Sequence, residues 1–304
     1  MKILTVFTGG TIACSSKGGV LSPEKENGYM LLDMYCETDR ETEFETAQPY
    51  IILSENLQAE TLDALYYCIG GYDLSEYDGV VVCHGTDTLQ YTGAFLSYRF
   101  GLCKTPIVLV SSNYPLDHRR SNGFVNFCAA VGFIKSGQGR GVFIAYNNDG
   151  DPMVNIHRAI RTLPHLPFSD NLFSLKNKPY GFIKDGVFIF NPEYREKKSE
   201  FEVLSKPIGK RVLYIRPYPG MIYPELTNDY KAVLLDSYHS GTIRTAGKGV
   251  VALCAAAKDK NIPVYLTGSE VGFNYESKQK YKELGIRLLP PMSPVAAYMK
   301  LWLM

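Results

Sequence analysis

The sequence GVVVCHGTDTLQY, residues 79–91, joins a strand-like apolar run to a polar turn and the start of a helix. The run at 79–83 is apolar on both faces, which is typical of a central strand in a parallel sheet. His84, Thr86 and Asp87 follow it directly. In an open α/β sheet, ligands bind beyond the carboxyl ends of the strands, where neighbouring loops converge. The stretch therefore predicts an α/β fold with a ligand site at this edge.

Similar apolar runs recur along the chain, each followed by a turn and a helical pattern. They read ILTVFT, GVVVCH, PIVLVSS and VFIAYN in the first half, and RVLYI, AVLLDSY and PVYLTG in the second. This alternation indicates βαβ units on a mainly parallel sheet flanked by helices. Between the runs, apolar residues keep helical spacing in two segments, 62–69 and 124–134, which predicts helix faces packed on the core.

The alternation of strand and helix patterns stops at 176–207. There, Asp185 and Gly186 suit a tight hairpin turn, and a charged stretch, REKKSE, follows. We read that charged stretch as a solvated linker or strand edge. The sequence thus predicts a larger N-terminal α/β domain over 1–180, a linker over 181–207, and a smaller Rossmann-like α/β domain over 208–304.

Composition narrows the classes of partner. The 304 residues are 45% apolar and include 32 basic and 31 acidic side chains, a formal charge of +1. This net charge gives no overall electrostatic attraction to nucleic acid or to a membrane surface, so a small neutral or zwitterionic substrate fits better. The seven cysteines form no CxxC pair and are expected to be reduced. The apolar stretch in the first ten residues, MKILTVFTGG, is too short for a signal peptide or a membrane span, so we expect a cytoplasmic protein.

Three strand ends carry glycine followed directly by threonine: FTGGT, CHGTDT and YHSGT. Glycine lets the backbone approach a ligand closely, so that amide N–H groups can face a carboxylate or an oxyanion. Helix capping alone explains Thr242, the threonine of the third motif. Capping does not require the Thr86-Asp87-Thr88 run behind a buried strand. Neither G-x-G-x-x-G nor a P-loop occurs, and we expect no metal and no organic cofactor.

Two of these motifs, TGGTIA at 8–13 and HGTDTL at 84–89, resemble the signatures of the bacterial and archaeal L-asparaginase family. That family also includes glutaminase-asparaginases and an asparaginase-like amidotransferase subunit. The likeness extends to SENL at 54–57, to RSNGFVNFCAAV, to YHSGT and to SPVAAYMKL near the C-terminus. It implies a two-domain asparaginase-like fold and an amidohydrolase that converts L-asparagine, glutamine or a related small amide to the acid and ammonia.

The resemblance also implies roles for individual residues. Thr11 would be the nucleophile that forms an acyl-enzyme, and Thr86 the second catalytic threonine, close to the activating base. Asp87 would bind the substrate α-amino group, and Ser54 and Glu55 its α-carboxylate and α-amino ends. The implied substrate-binding residues are Gly10, Ser54, Glu55, Gly85, Thr86 and Asp87. The family usually assembles its sites between subunits, which implies a homodimer or homotetramer.

The sequence departs from the family where a catalytic lysine usually follows the VFIAYN-type strand. No lysine occurs between Lys135 and Lys176. NIHRAIRTLPHLP stands there instead, and its arginines cannot deprotonate threonine because they do not titrate in the useful range. We hypothesise that His165 or His157 replaces the lysine as the base, and count His165 among the catalytic residues. The alternative is that both histidines are loop residues without a role.

Smaller departures concern the rest of the site. Val20 stands near the place of the family's loop tyrosine, with Tyr29 further along; Thr242 replaces an asparagine, and Glu270 is a candidate to reach across a subunit interface. We expect His84 to orient the GTDT turn, and the polar cluster 117–120 to be a solvated or subunit-contact loop rather than a metal site. Two other functions stay open: an impaired amino-acid-binding protein that lost its base, and a subunit of a larger amidotransferase.

Overall fold

The computed structural model describes the backbone of residues 1–17, 20–23, 25–207, 209, 211–269 and 275–304, and the side chains of these residues outside 13–28. The chain divides into two compact units, Met1–Val203 and Leu204–Met304. Each unit is an α/β layer structure with its own core, and each is described by itself.

The first unit is built on an eight-stranded sheet in the order β10-β9-β8-β7-β6-β5-β1-β4. Its strands are β1 (Lys2–Phe7), β4 (Glu43–Ala47), β5 (Gly79–Cys83), β6 (Ile107–Val110), β7 (Val142–Tyr146), β8 (Val154–Arg158), β9 (Gly181–Lys184) and β10 (Val187–Phe190). A separate hairpin joins β2 (Cys14–Lys17) to β3 (Val20–Pro23). The helices are α1 (Lys25–Cys36), α2 (Ala59–Gly70), α3 (Leu89–Phe100) and α4 (Gly123–Lys135). From β4 to β7 all neighbours pair in parallel, which confirms the predicted mainly parallel sheet.

The central strands are buried because both of their faces are apolar. All five residues of β5 are buried, and Val81 and Cys83 lie in the same core cluster as Phe127 and Val131 of α4. Strand side chains alternate between the two faces, so Val80 and Val82, also buried, point the other way. Two-sided burial holds the carboxyl end of β5 firmly, and the GTDT loop begins at that end.

The segment after β8 differs from the linker predicted over 181–207. Asp185 and Gly186, with φ of 49° and 76°, close the β9–β10 hairpin, and both strands extend the large sheet. The charged stretch that follows is held by ion pairs: Arg158 Nε lies 3.0 Å from Glu196 Oε2, and Arg161 Nη1 lies 2.8 Å from Glu200 Oε2. Residues up to Val203 therefore belong to the first unit.

The second unit carries a four-stranded parallel sheet in sequence order. Its strands are β11 (Arg211–Ile215), β12 (Tyr230–Leu235), β13 (Val264–Leu266) and β14 (Ile286–Leu288), and its helices are α5 (Gly249–Asp259), α6 (Glu276–Glu283) and α7 (Pro294–Leu303). Ser293 caps α7 by accepting a 3.0 Å hydrogen bond from the Ala296 N–H. In the part of both units that the structure describes, no helix has the length and apolarity to cross a membrane.

Candidate active site

Three loops of the first unit meet at the carboxyl edge of its sheet, where β1, β5 and β6 end. They enclose a cavity of about 610 Å³ together with the segments 53–55 and 165–170. The lining residues are Gly10, Thr11, Leu53, Ser54, Glu55, Gly85, Thr86, Asp87, Asn113, His165, Leu166, Pro167, Phe168, Ser169 and Asp170. All eight site residues that the sequence predicted lie on this wall; the chemical role of each stays a prediction.

Two glycines bring the loops after β1 and β5 into backbone contact. Gly10 has φ of +77°, and a Cβ built on it would lie 2.2 Å from Gly85 Cα. A Cβ on Gly85 would in turn lie 2.5 Å from Ser54 Oγ. The Gly10 N–H donates a 2.9 Å hydrogen bond to the Ile52 carbonyl, which holds the third segment beside the first two. Gly10 is thus required by space as well as by φ, and Gly85 is required by space.

Replacing Gly10 by alanine should destabilise the first unit by about 3 kcal/mol. That sum combines roughly 1–2 kcal/mol of left-handed strain with about 1–3 kcal/mol of overpacking. Gly150→Ala is the matched control, because Gly150 has φ of +76° and no described atom lies within 4 Å of its built Cβ. Urea unfolding of both variants measures the difference. Equal losses in the two variants would contradict the close packing of the loops.

The catalytic threonines predicted from the sequence differ in their surroundings. Thr11 is half-buried and begins the short 3₁₀ turn Thr11–Ala13. The Thr86 hydroxyl donates a 3.0 Å hydrogen bond to the Ser112 carbonyl, so its oxygen lone pairs stay available as acceptors. Thr88 donates to the Ser54 carbonyl at 2.8 Å and ties the GTDT loop to the 53–55 segment. Asp87, between the two threonines, is exposed and lines the cavity.

His84 has the orienting position expected from the sequence. Its Nδ1 donates to the Gly85 carbonyl at 2.7 Å, which leaves Nε2 to accept a 2.9 Å hydrogen bond from the Thr92 hydroxyl. Burial lowers the pKa of His84 to about 4, so the ring is neutral near pH 7. The ring is not among the described side chains that line the cavity, and it links the GTDT loop to α3.

The structure separates the two histidines that were candidates for the base. His165 lines the cavity and packs edge-to-face on Tyr146, with ring centroids 5.4 Å apart. His157 lies on β8, fully buried, with Nδ1 2.8 Å from the Ser174 hydroxyl. Burial lowers the pKa of both rings, and for His165 the charges of Asp87 and Asp170 oppose that shift. Of the two, His165 is the one that the fold brings beside Thr86 and Asp87.

The arginines of the same segment point to structural partners. Arg158 stacks on the Phe143 ring, with its guanidinium carbon 4.2 Å from the centroid, and pairs with Glu196. Arg161 pairs with Glu200 and lies 5.4 Å from the centroid of the Tyr194 ring. Both guanidinium groups therefore hold the 191–203 segment on the sheet, and neither is among the described cavity residues.

Sequence reasoning missed Asn113 and Asp170. Asn113 follows β6, and its side-chain oxygen accepts a hydrogen bond from the Tyr146 hydroxyl while Nδ2 donates to the Asp170 carbonyl at 3.4 Å. The Asp170 carboxylate pairs with Arg120 at 3.2 Å. Asn113 could have been found by applying the strand-end rule to PIVLVSSN. No local pattern marks Asp170, because only the tertiary fold brings it back to the sheet edge.

The remaining candidates lie outside the cavity. His118 stacks on Tyr114 with centroids 4.5 Å apart, and Arg120 of the same polar cluster makes the ion pair with Asp170. Within the described ranges, no group of three His, Cys, Asp or Glu side chains is placed to hold a metal ion. Tyr29 packs on Phe7 at 5.6 Å between centroids, and Thr242 bonds to Ser240 at 3.0 Å in the second unit. Glu270 and the Val20 side chain lie outside the described residues.

Comparison with known proteins shows which family this chain belongs to. The family model described as "Asparaginase, N-terminal" matches residues 2–189. A glutamyl-tRNA(Gln) amidotransferase subunit from Methanothermobacter thermautotrophicus is 28% identical over 262 residues, which cover 82% of this chain and 59% of that protein. The same subunit from Methanobrevibacter smithii is 27% identical over 317 residues, covering 99% of this chain and 71% of that protein. The chain thus spans less than two thirds of the first relative.

Solved structures agree on the fold. The thermostable L-asparaginase from Thermococcus kodakarensis superposes with a TM-score of 0.77 at 23% identity, covering 99% of this chain and 92% of that one. The probable cytoplasmic L-asparaginase from Campylobacter jejuni gives a TM-score of 0.76 at 22% identity, covering 99% and 94%. The expected α/β architecture and the resemblance to the asparaginase family are confirmed. The chain belongs to the asparaginase family.

Proposed function

We propose that this protein hydrolyses the side-chain amide of L-asparagine, glutamine or a related small amide through a threonine acyl-enzyme. The observation that supports this most directly is the meeting of Thr11, Thr86 and Asp87 with Ser54 and Glu55 in one cavity. The cavity combines hydroxyls for attack, carboxylates for a substrate amine, and glycine-rich backbone for an oxyanion.

In the proposed reaction, Thr11 Oγ attacks the side-chain carbonyl carbon of the substrate and gives up its proton to a base. The tetrahedral intermediate collapses, the C–N bond breaks, and the nitrogen leaves as ammonia with that proton. Water then attacks the resulting ester, releases the acid and restores the Thr11 hydroxyl. We assign the base to His165, whose neutral ring lines the same cavity.

A second candidate is supported by the names of the curated relatives, which are subunits of glutamyl-tRNA(Gln) amidotransferase. In such a role the same acyl transfer would serve to release ammonia for use elsewhere in an assembly. This candidate predicts that turnover depends on further subunits, whereas an independent amidohydrolase turns over alone.

Purified protein incubated with L-asparagine, L-glutamine and a few β-amides tests the proposal, with ammonia release and thermal stabilisation by the acid products measured side by side. We expect ammonia from at least one amide. Stabilisation by aspartate without ammonia between about pH 5 and pH 9 would favour the impaired amino-acid-binding protein, since the pocket would then bind without chemistry.

We further propose that the protein works in the cytoplasm as a homodimer or homotetramer. The compartment is supported by the six cysteines whose side chains are described, all of which are free thiols as is usual in reducing surroundings. The assembly rests on the family resemblance, and light scattering at several concentrations measures its mass.

A further inference from the structure

A second cavity, of about 510 Å³, lies in the second unit at the edge of the sheet where β13 and β14 begin. It lies between the last turns of α5 and α6, and both helices belong to the same core cluster on one face of the four-stranded sheet. Three of the residues that line it are the cations Lys258, Lys282 and Arg287. We therefore call this cavity the basic groove.

The three cations of the basic groove come from three different elements. Lys258 and Lys282 stand in the last turns of α5 and α6. Arg287 is the middle residue of β14, and its guanidinium carbon lies 5.8 Å from the centroid of the Tyr265 ring. Each lysine alone is accounted for as the cation that complements a helix C-terminus. That account covers neither Arg287 nor the meeting of three cations at one cavity, where Glu283 is the single carboxylate among the described lining residues.

The basic groove lies in the positively charged part of the chain. Residues 204–304 contain 14 basic and 7 acidic side chains, a formal charge of +7. Residues 1–203 contain 18 basic and 24 acidic side chains, a formal charge of −6, so the whole-chain charge of +1 conceals a strong asymmetry. A concave site lined by one sign of charge raises the local concentration of ligands of the opposite sign. The groove therefore favours an anion.

The floor of the basic groove is apolar. Ala257, Ile262 and Val264 contribute side chains that are more than nine-tenths buried, and Leu284 is partly buried beside them. The described lining residues include no aromatic ring on which the bases of a single-stranded nucleic acid could stack. The volume falls in the range of roughly 300–1,000 Å³ that holds small organic ligands. An apolar floor beneath a cationic rim thus suits a compact ligand with an apolar body and an anionic head.

We propose that the basic groove binds a small organic phosphate, a ligand that carries a phosphate group on an apolar body. The body lies on Ile262 and Leu284, and the phosphate is held by Lys258, Lys282 and Arg287, whose guanidinium can donate two parallel hydrogen bonds. Phosphate fits better than a single carboxylate because it carries nearly two negative charges against three cations. This site goes beyond the amidohydrolase function and does not rest on it.

Calorimetry on the whole chain compares naphthyl phosphate, naphthol and inorganic phosphate as probes. We expect naphthyl phosphate to bind at least about tenfold more tightly than either of the other two, because an apolar contact and a charged hydrogen bond each contribute about tenfold or more. Lys282→Gln and Arg287→Gln should each weaken that binding by about tenfold. Lys260→Gln is the matched control: Lys260 is exposed just after α5 and is not among the described lining residues, so the Kd should stay unchanged.

Equal binding of naphthyl phosphate and naphthol would show that the phosphate is not recognised, and it would overturn the proposal. An unchanged Kd in both Lys282→Gln and Arg287→Gln would do the same, because the probe would then bind elsewhere. Titration with a short single-stranded RNA and light scattering of the two variants test the other anionic occupants. Tighter binding of the RNA that is lost in both variants would assign the groove to nucleic acid. A lower oligomeric mass in both variants would assign it to a contact with another subunit, and either result would reject the proposal.

Discussion

Thr11→Ala should lower kcat for amide hydrolysis by about 10⁴-fold or more, because removing a catalytic nucleophile leaves only binding and oxyanion stabilisation. The loss should be in chemistry and not in folding. Thr11 is half-buried in a short 3₁₀ turn, and replacing such a residue by alanine changes the free energy of unfolding by about 1 kcal/mol. Ammonia release, urea unfolding and product binding on the same preparation separate the two effects.

Thr11→Ser is the matched control, since serine keeps the hydroxyl and loses only a methyl group. We expect Thr11→Ser to retain activity within about tenfold of the native protein, whereas Thr11→Ala should lose far more. An acyl-enzyme trapped by acid quench should carry its added mass on the peptide that contains Thr11. If Thr11→Ala kept native activity, or if the adduct lay on the peptide that contains Thr86, another residue would be the nucleophile.

The edge of the sheet that holds this site could be predicted from the sequence because its strands are apolar on both faces. Runs such as GVVVC and IVLV are short and rich in β-branched residues, which is typical of buried strands. Polar residues directly after such strands lie at the carboxyl edge of the sheet. Gly10 and Gly85 could be predicted for the same reason, since a close approach of two backbones needs glycine. The residues that the motifs marked therefore lie together.

The segment after β7 could not be predicted, because its side chains find partners far away in sequence. VNIHR is mostly polar, yet all five residues are buried by antiparallel pairing with β7 and by contacts beyond it. Arg158 pairs with Glu196, which lies 38 residues further on. The charged stretch that indicated a linker is therefore bound to the large sheet by ion pairs. Alternation of polar and apolar residues carries no information about such pairs.

The same limit applies to the choice between His157 and His165. Both stand in one polar stretch, and only the tertiary fold decides that His157, on β8, turns into the core while His165, beyond that strand, reaches the cavity. A histidine on a buried strand and a histidine beside a pocket have the same local sequence signal. The structure therefore leaves His165 as the candidate base to test, because it is the one of the two histidines that lines the cavity.

His165→Gln should lower kcat by about 10³-fold and remove the acid limb of the pH profile, because a positioned general base contributes about 10²–10⁴-fold. Burial lowers the pKa of His165 below its ordinary value of 6.5, so the ring is neutral and able to accept a proton at pH 7. As the pH falls through that lowered pKa, the ring becomes protonated and the rate declines. The limb should therefore lie below pH 6.5 in the native protein, and kcat against pH from about 4 to 9 measures it.

Two matched variants show whether the limb belongs to His165. His118→Gln changes an exposed ring stacked on Tyr114 and should leave the profile as it is. His157→Gln disturbs a buried ring bonded to Ser174, so it should lower the free energy of unfolding while the limb persists. Added imidazole should restore part of the activity of a His165→Gly variant, because a free base can enter the vacated space. A limb that survives in His165→Gln with less than about threefold loss of kcat would remove His165 from the reaction, since a base contributes far more.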